Sequence, residues 1–264
     1  MPSPEARSRS ERTEADALER AREQAARLRG SDDMEETFLQ AVSHDLRTPI
    51  AAILGLATTL EREDLALSAE DTRDMVSRIV ANARRLDRIV SDLLDLDRLS
   101  RGVTEPTFAR ADVGALVTRV VAESETRAER EVEVDAAPVE AEVDTAKVER
   151  IVESLLTNAD RHAPGDSRIR VRAAADGDDV VIAVDDEGPA VPEADRERVF
   201  EPFHRGPEGR EHTLDVGVRL ALVAGFAELH GGHAWVQDGE SGGASFRVRL
   251  PLQPVAAPET EPAD

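Results

Sequence analysis

Apolar residues recur about every four positions at Phe38, Val42, Leu46, Ile50, Ile53 and Leu60, the spacing of one face of an α-helix. They predict a helix from about Asp32 to Glu63. A second stripe, Met75, Ile79, Ala83, Leu86, Val90 and Leu93, predicts another from about Ala69 to Ser100, with Gly102 as its C-cap. Two long amphipathic helices joined by a short turn cannot bury their apolar faces alone. Pairing two such hairpins into a four-helix bundle buries them, so a homodimer is expected. Upstream, Leu18, Ala21, Ala25 and Leu28 keep helical spacing within a charged stretch, Ser10 to Arg29, which reads as a short coiled-coil lead-in or a solvated, frayed helix. Gly30-Ser31-Asp32 reads as a break or a new N-cap.

From about Val103 the pattern changes to alternating helices and short strands. Helices are expected over Asp112 to Glu129, Thr145 to His162 and Arg219 to His230. Strands are expected over Glu131 to Ala137, Ile169 to Ala174, Val180 to Asp185, His233 to Gln237 and Ala244 to Leu250. The order predicts an α/β sandwich and not a βαβ repeat. The domain division that follows is a lead-in over 1–30, partly disordered, a helical hairpin over 31–102, an α/β domain over 103–252, and a disordered tail over 253–264, where Pro and Glu are prominent.

Composition narrows the functional classes. No run approaches the roughly 20 apolar residues of a membrane span, and Met1 to Arg29 lacks the apolar core of a signal peptide, so a cytoplasmic chain is expected. The absence of cysteine excludes disulfides, thiolate metal sites and cysteine catalysis. A formal charge of −22 argues against nucleic acid or an anionic membrane as partner. Aromatics make up 3% and tyrosine is absent, which leaves little for a base-stacking platform.

One histidine stands outside the apolar pattern. His44 lies about 200° around the helix from Val42 and Leu46 and should point to solvent. Asp45 beside it can fix one ring nitrogen as the proton-bearing one, leaving the other with a free lone pair for nucleophilic attack. Thr48, one turn on, could position a water, and Pro49 removes a backbone donor and should bend the helix. Taken whole, Ser43-His44-Asp45-Leu46-Arg47-Thr48-Pro49 resembles the H-box of bacterial sensor histidine kinases. The resemblance implies that His44 accepts the γ-phosphoryl group of ATP and passes it to an aspartate of a response regulator. It further implies Asp45 as general base and Thr48 as the residue that orients water for dephosphorylating the regulator.

The later motifs fall in the order that this family uses. In the helix after Thr145, Asn158 and Arg161 are three residues apart and therefore neighbours; an amide oxygen can ligate Mg²⁺ and a guanidinium can clamp phosphate. The segment resembles the N-box, which implies Mg²⁺ at Asn158 and phosphate contacts from Arg161, with His162 adjoining; Ser154 stands where many members have another Asn. Val184-Asp-Asp186-Glu-Gly188-Pro-Ala190 resembles the G1 box, implying that Asp186 accepts a hydrogen bond from the adenine amino group. Gly188 supplies the tight turn, and Ala190 replaces a glycine. Arg198-Val-Phe200-Glu-Pro-Phe203 resembles the F-box, packed beneath a mobile lid expected over about His204 to Val216.

Counting back from Glu228-Leu-His230-Gly-Gly232, the G2 box falls on Asp215-Val-Gly217-Val-Arg219-Leu220, where only Gly217 is retained. Glycine-rich turns entering a helix let backbone N–H groups reach phosphates. Asp215 brings negative charge there, and Arg219 implies a left-handed or crowded backbone costing roughly 1–2 kcal/mol, or a guanidinium that binds phosphate itself.

The resemblance thus implies a HisKA-type hairpin domain followed by a Bergerat-type ATP-binding domain, with ATP and Mg²⁺ bound by Asn158, Arg161, His162, Asp186, Gly188, Ala190, Gly217, Arg219 and Leu220. The implied partners are a second copy, a cognate response regulator, and a separate or missing sensor. The alternative that Ala190, Asp215 and Arg219 motivate is a degenerate kinase that binds nucleotide weakly and serves as phosphatase, phosphotransfer intermediate or scaffold.

Overall fold

A computed structural model describes residues 42–62, 64–65, 67–124, 126, 130–202, 214–240 and 242–254. The lead-in, the tail past 254, Phe203 and most of the expected lid lie outside the described residues.

The hairpin forms as the two stripes predict. Helix α1 is described over 42–60 and runs unbroken through Pro49, whose missing N–H leaves the Asp45 carbonyl without its helical donor. Helix α2, Ala69–Ser100, starts at a capping box: the Ser68 hydroxyl accepts from the Asp71 N–H at 3.0 Å, and the Asp71 carboxylate accepts from the Ser68 N–H at 3.2 Å. It ends at Gly102, φ 64°, with Val103 N–H donating to the Arg98 carbonyl and Gly102 N–H to the Leu99 carbonyl, the two bonds of a Schellman motif.

The face that α2 buries differs from the expected one near its end. Val90 is exposed, whereas Ile89 and Asp92 are buried and Leu93, Leu96 and Leu99 pack on the core of the following domain. The stripe read from sequence gave a bundle face. The last turns answer to a second surface.

That second surface belongs to an α/β domain. A two-stranded antiparallel pair, β1 (Ala109–Asp112) with β3 (Glu140–Val143), sits beside a five-stranded sheet of order β2-β4-β5-β7-β6. Its strands are β2 (Val132–Ala136), β4 (Ile169–Asp176), β5 (Asp179–Asp185), β6 (His233–Asp238) and β7 (Ala244–Pro251). The β2–β4 pair is parallel and the others antiparallel. Helices α3 (Val113–Glu123), α4 (Thr145–His162) and α5 (Leu214–Leu229) cover one face. Alternation along β4 and β7 sends Val171, Ala173, Phe246, Val248 and Leu250 into the core. Arg170 and Arg172 take the outer face, where they pair with Glu133, Asp185 and Glu240.

Sequence patterning missed β1 and β3, four residues each and poor in β-branched side chains. It also overran α3, which stops at Glu123, with Ser124 extended. Helix α5 starts five residues earlier than expected. Arg219 therefore sits in ordinary helical backbone, and the left-handed conformation anticipated there does not arise.

His230 locks the domain's helices together. It is 2% exposed; its Nδ1–H donates to the Phe226 carbonyl at 2.7 Å, and its Nε2 accepts from the Asp144 N–H at 3.0 Å. Asp144 in turn caps α4 through Lys147 N–H and holds Thr107 N–H. Only the neutral ring satisfies both bonds, and burial, against a weaker pull from the Phe226 carbonyl, holds its pKa below the ordinary histidine value. Stability that this ring contributes is thus present above the unfolded value near 6.5 and is lost as pH falls through the lower folded value. Melting scans between pH 7.5 and 5.5 should show the domain weakening toward acid. His230→Ala should cost on the order of 2–3 kcal/mol at pH 7.5 and flatten that slope.

Candidate functional site

Helix α4 presents one end of the site. Its capped start and buried stripe of Val148, Ile151, Val152, Leu155, Leu156 and Ala159 fix its rotation against the sheet. Asn158 is thereby turned inward, 7% exposed, with its Nδ2 buried and lacking a hydrogen-bond partner. A buried amide left unsatisfied costs free energy, which a polar ligand group at this place would offset. Arg161 and His162 lie exposed at the same helix end.

That end is held by a residue the sequence reading passed over. The Arg130 side chain is 8% exposed; its Nε donates to Asp160 Oδ1 at 3.0 Å, and its Nη atoms donate to the carbonyls of Asp160, Ala163 and Pro164 and to Ser167 Oγ. One guanidinium thus caps the orphan carbonyls of α4 and the turn after it. A lone arginine before a strand gives no pattern by which to single it out.

The other wall is the turn after β5. Asp186 is 3% exposed; its Oδ1 accepts from the Gly188 N–H at 2.7 Å and its Oδ2 is buried without a partner. Burial pushes its pKa up, partly opposed by the Gly188 N–H. Gly188 has no room for a side chain: a Cβ would stand 2.6 Å from the His162 carbonyl, so the turn passes directly over the end of α4. Gly243 is constrained more tightly, with a Cβ position 1.9 Å from the Asp186 carbonyl oxygen. The Gly242-Gly243 pair before β7 is the sequence signal that could have found it.

Asn158 and Asp186 thus carry two unpartnered polar atoms, Nδ2 and Oδ2, on elements that Gly188 brings into contact. The acceptor suits an exocyclic amino group, and the pair fits a purine nucleotide better than an apolar ligand. Of the remaining expected residues, Ala190 is exposed beyond the turn, and Gly217 and Leu220 are buried in α5. Phe200 stacks edge-on to Phe246 with ring centroids 6.2 Å apart.

On the hairpin, His44 points to solvent as its helix position requires, 68% exposed. Asp45 is 2% exposed, with Oδ1 3.1 Å from His44 Nδ1 and a buried, partnerless Oδ2. This geometry fits an Nδ1–H held by carboxylate, which leaves Nε2 as the free lone pair. The Thr48 hydroxyl donates to the His44 carbonyl at 3.2 Å, and so is committed to its own helix in this arrangement.

Two family models match in this order: the His kinase A (phospho-acceptor) domain over residues 34–102, and the histidine kinase-, DNA gyrase B- and HSP90-like ATPase over 143–254. The chain belongs to the sensor histidine kinases. Sensor protein KdpD of Mycobacterium tuberculosis is 36% identical over 246 residues, a match that covers 90% of this chain and 28% of KdpD. The chain therefore spans well under half the length of that relative. A full-length structure of the histidine kinase ShkA with AMPPNP superposes with a TM-score of 0.56 at 28% identity, covering 83% of this chain and 46% of that one. Acinetobacter baumannii histidine kinase AdeS, 19% identical, shares the fold with a TM-score of 0.58 over 79% of this chain and 98% of its own. The helical hairpin followed by an α/β ATP-binding domain is thus the architecture of this family.

Proposed function

We propose that the chain binds ATP·Mg²⁺ in the α/β domain, transfers the γ-phosphoryl group to His44, and passes it to an aspartate of a response regulator. The observation that carries this reading is the pair of buried, partnerless atoms at Asn158 and Asp186, on elements that Gly188 brings into contact. Asp186 would accept from the adenine amino group, and Arg161, with His162 beside it, would face the phosphates. Among the described residues no cluster of three or more acidic, histidine or cysteine side chains could hold a metal. Asn158 would then be a single protein ligand to Mg²⁺ through its amide oxygen, leaving Nδ2 to donate to the nucleotide, and the remaining positions on the ion suit phosphate oxygens and water.

Asp45 would hold the imidazole with Nε2 outward, and in-line positioning with charge neutralisation would supply most of the rate. Ile50 and Leu54, 48% and 66% exposed, and Val76 and Val80 would be covered by a second copy. Among the described residues no helix is long and apolar enough to cross a membrane, which fits a catalytic core working in the cytoplasm.

One observation favours a second reading. The segment that matches the glycine-rich box is helical from Leu214 on, which removes the loop of free N–H groups that would wrap phosphates. A weak nucleotide binder acting as phosphatase, phosphotransfer intermediate or scaffold follows from that. Calorimetric titration with ATP·Mg²⁺ separates the two: a dissociation constant below about 1 mM supports the kinase, about −4 kcal/mol or better. No heat at millimolar nucleotide refutes it.

A further inference from the structure

Asp92 lies where the hairpin meets the ATP-binding domain, and its carboxylate is shared by arginines from two different helices. Oδ1 accepts from Arg150 of α4, and Oδ2 lies 3.6 Å from Arg219 Nε of α5. The cluster is largely withdrawn from water, with side-chain exposures of 7% for Asp92, 11% for Arg219 and 25% for Arg150. Further along the same face of α2, Asp95 stands 3.9 Å from Lys147, and Leu99 covers Gly225, whose Cβ position would be 2.8 Å from Leu99 Cδ1. Residues 92, 95 and 99 are three and four apart, so they form one stripe and dock together.

Arg219 stands near the phosphate end of the proposed site. Helices α4 and α5 run antiparallel, since His230 meets Asp144 and the Lys147 ammonium lies 4.9 Å over the Phe226 ring. The same count sets Arg219 level with Ser154 and the first turn of α5 level with Asn158. Arg219 is therefore about one helical turn, roughly 6 Å, from the level of the proposed Mg²⁺ ligand. Its guanidinium, however, is directed at the hairpin.

We propose that Asp92 is a positioning residue that holds Arg219 against α2 and off the phosphates, so that ATP·Mg²⁺ binding and undocking of the hairpin are coupled. The inference rests on the nucleotide reading above. A triphosphate offers more charge and more acceptor oxygens than one carboxylate, so it competes well for a guanidinium. Once Arg219 turns to phosphate, Asp92 loses one of the cations that balance it, and burying its charge against α5 becomes less favourable. The docked state and the state with Arg219 on phosphate exclude each other. By reciprocity, whatever loosens docking tightens nucleotide binding by the same factor.

The test compares ATP·Mg²⁺ calorimetry on the wild type, Asp92→Asn, Leu99→Ala and Asp92→Asn/Arg219→Ala, with hydrogen exchange followed across residues 89–100. Asp92→Asn and Leu99→Ala should each bind about fivefold tighter or more. The double variant should lose the gain, and saturating nucleotide should speed exchange in that part of α2 in the wild type. Leu99→Ala keeps every charge, so its tightening excludes a simple change of local potential, and it carries the test alone if Asp92→Asn does not fold. Equal dissociation constants in wild type and folded variants, or exchange unmoved by saturating nucleotide, overturn the coupling. Absence of heat in the wild type itself instead sinks the nucleotide reading, and the two failures are thereby distinct.

Discussion

Replacing His44 with glutamine should abolish incorporation of label from γ-labelled ATP, a loss to background and not a partial one. The side chain is 68% exposed and supports no packing, so the variant should keep the melting temperature and the oligomeric mass of the wild type. Glutamine preserves bulk and polarity but has no nucleophilic lone pair on nitrogen. Asp45→Asn makes a graded companion. The carboxylate 3.1 Å from Nδ1 fixes the tautomer, and an amide there can hold the ring either way, so labelling should slow without vanishing. Labelling retained in His44→Gln, read by autoradiography of acid-sensitive phosphate, would remove His44 from the reaction.

Asp186→Asn should separate binding from stability. Loss of the carboxylate acceptor for an amino group should weaken ATP about 10- to 100-fold, as for a charge-assisted hydrogen bond worth roughly 1.5–3 kcal/mol. The nucleotide-free protein should respond in the opposite sense. Burial raises the folded pKa of Asp186, so the stability linked to its proton is fully present below the unfolded carboxyl value and is lost as pH rises through the folded one. Once that proton is lost the wild type buries a charge whose Oδ2 has no partner, and asparagine does not. Melting of the two proteins from pH 4 to 8 should therefore show the variant gaining on the wild type as pH rises. A variant that binds ATP as tightly as the wild type contradicts the adenine role.

Much of this arrangement was legible in the sequence for a definite reason. Long helices write their buried face as a period, and α1, α2 and α4 were placed from Leu46, Ile79 and Ile151 and their repeats. The turn at Gly188 was legible because so few residues fit such a turn. What escaped notice was made of pairings between distant positions. Strands β1 and β3 are held by each other and not by their composition, Arg130 acts through backbone carbonyls thirty and more residues away, and Ile89 displaces Val90 because α2 meets a second domain. Arg219 shows the limit most sharply. Motif position led to an expectation of strained backbone, whereas a longer helix accommodates it without strain and Asp92 receives its side chain.

Helix α1 continues through Pro49, and the carbonyl left without a donor belongs to Asp45, the residue that holds the imidazole. A rod missing one rung is most compliant at the gap. A torsional load carried along α1 should concentrate in the turn that bears His44, so the proposed phosphoacceptor would sit where a small twist changes the aim of Nε2.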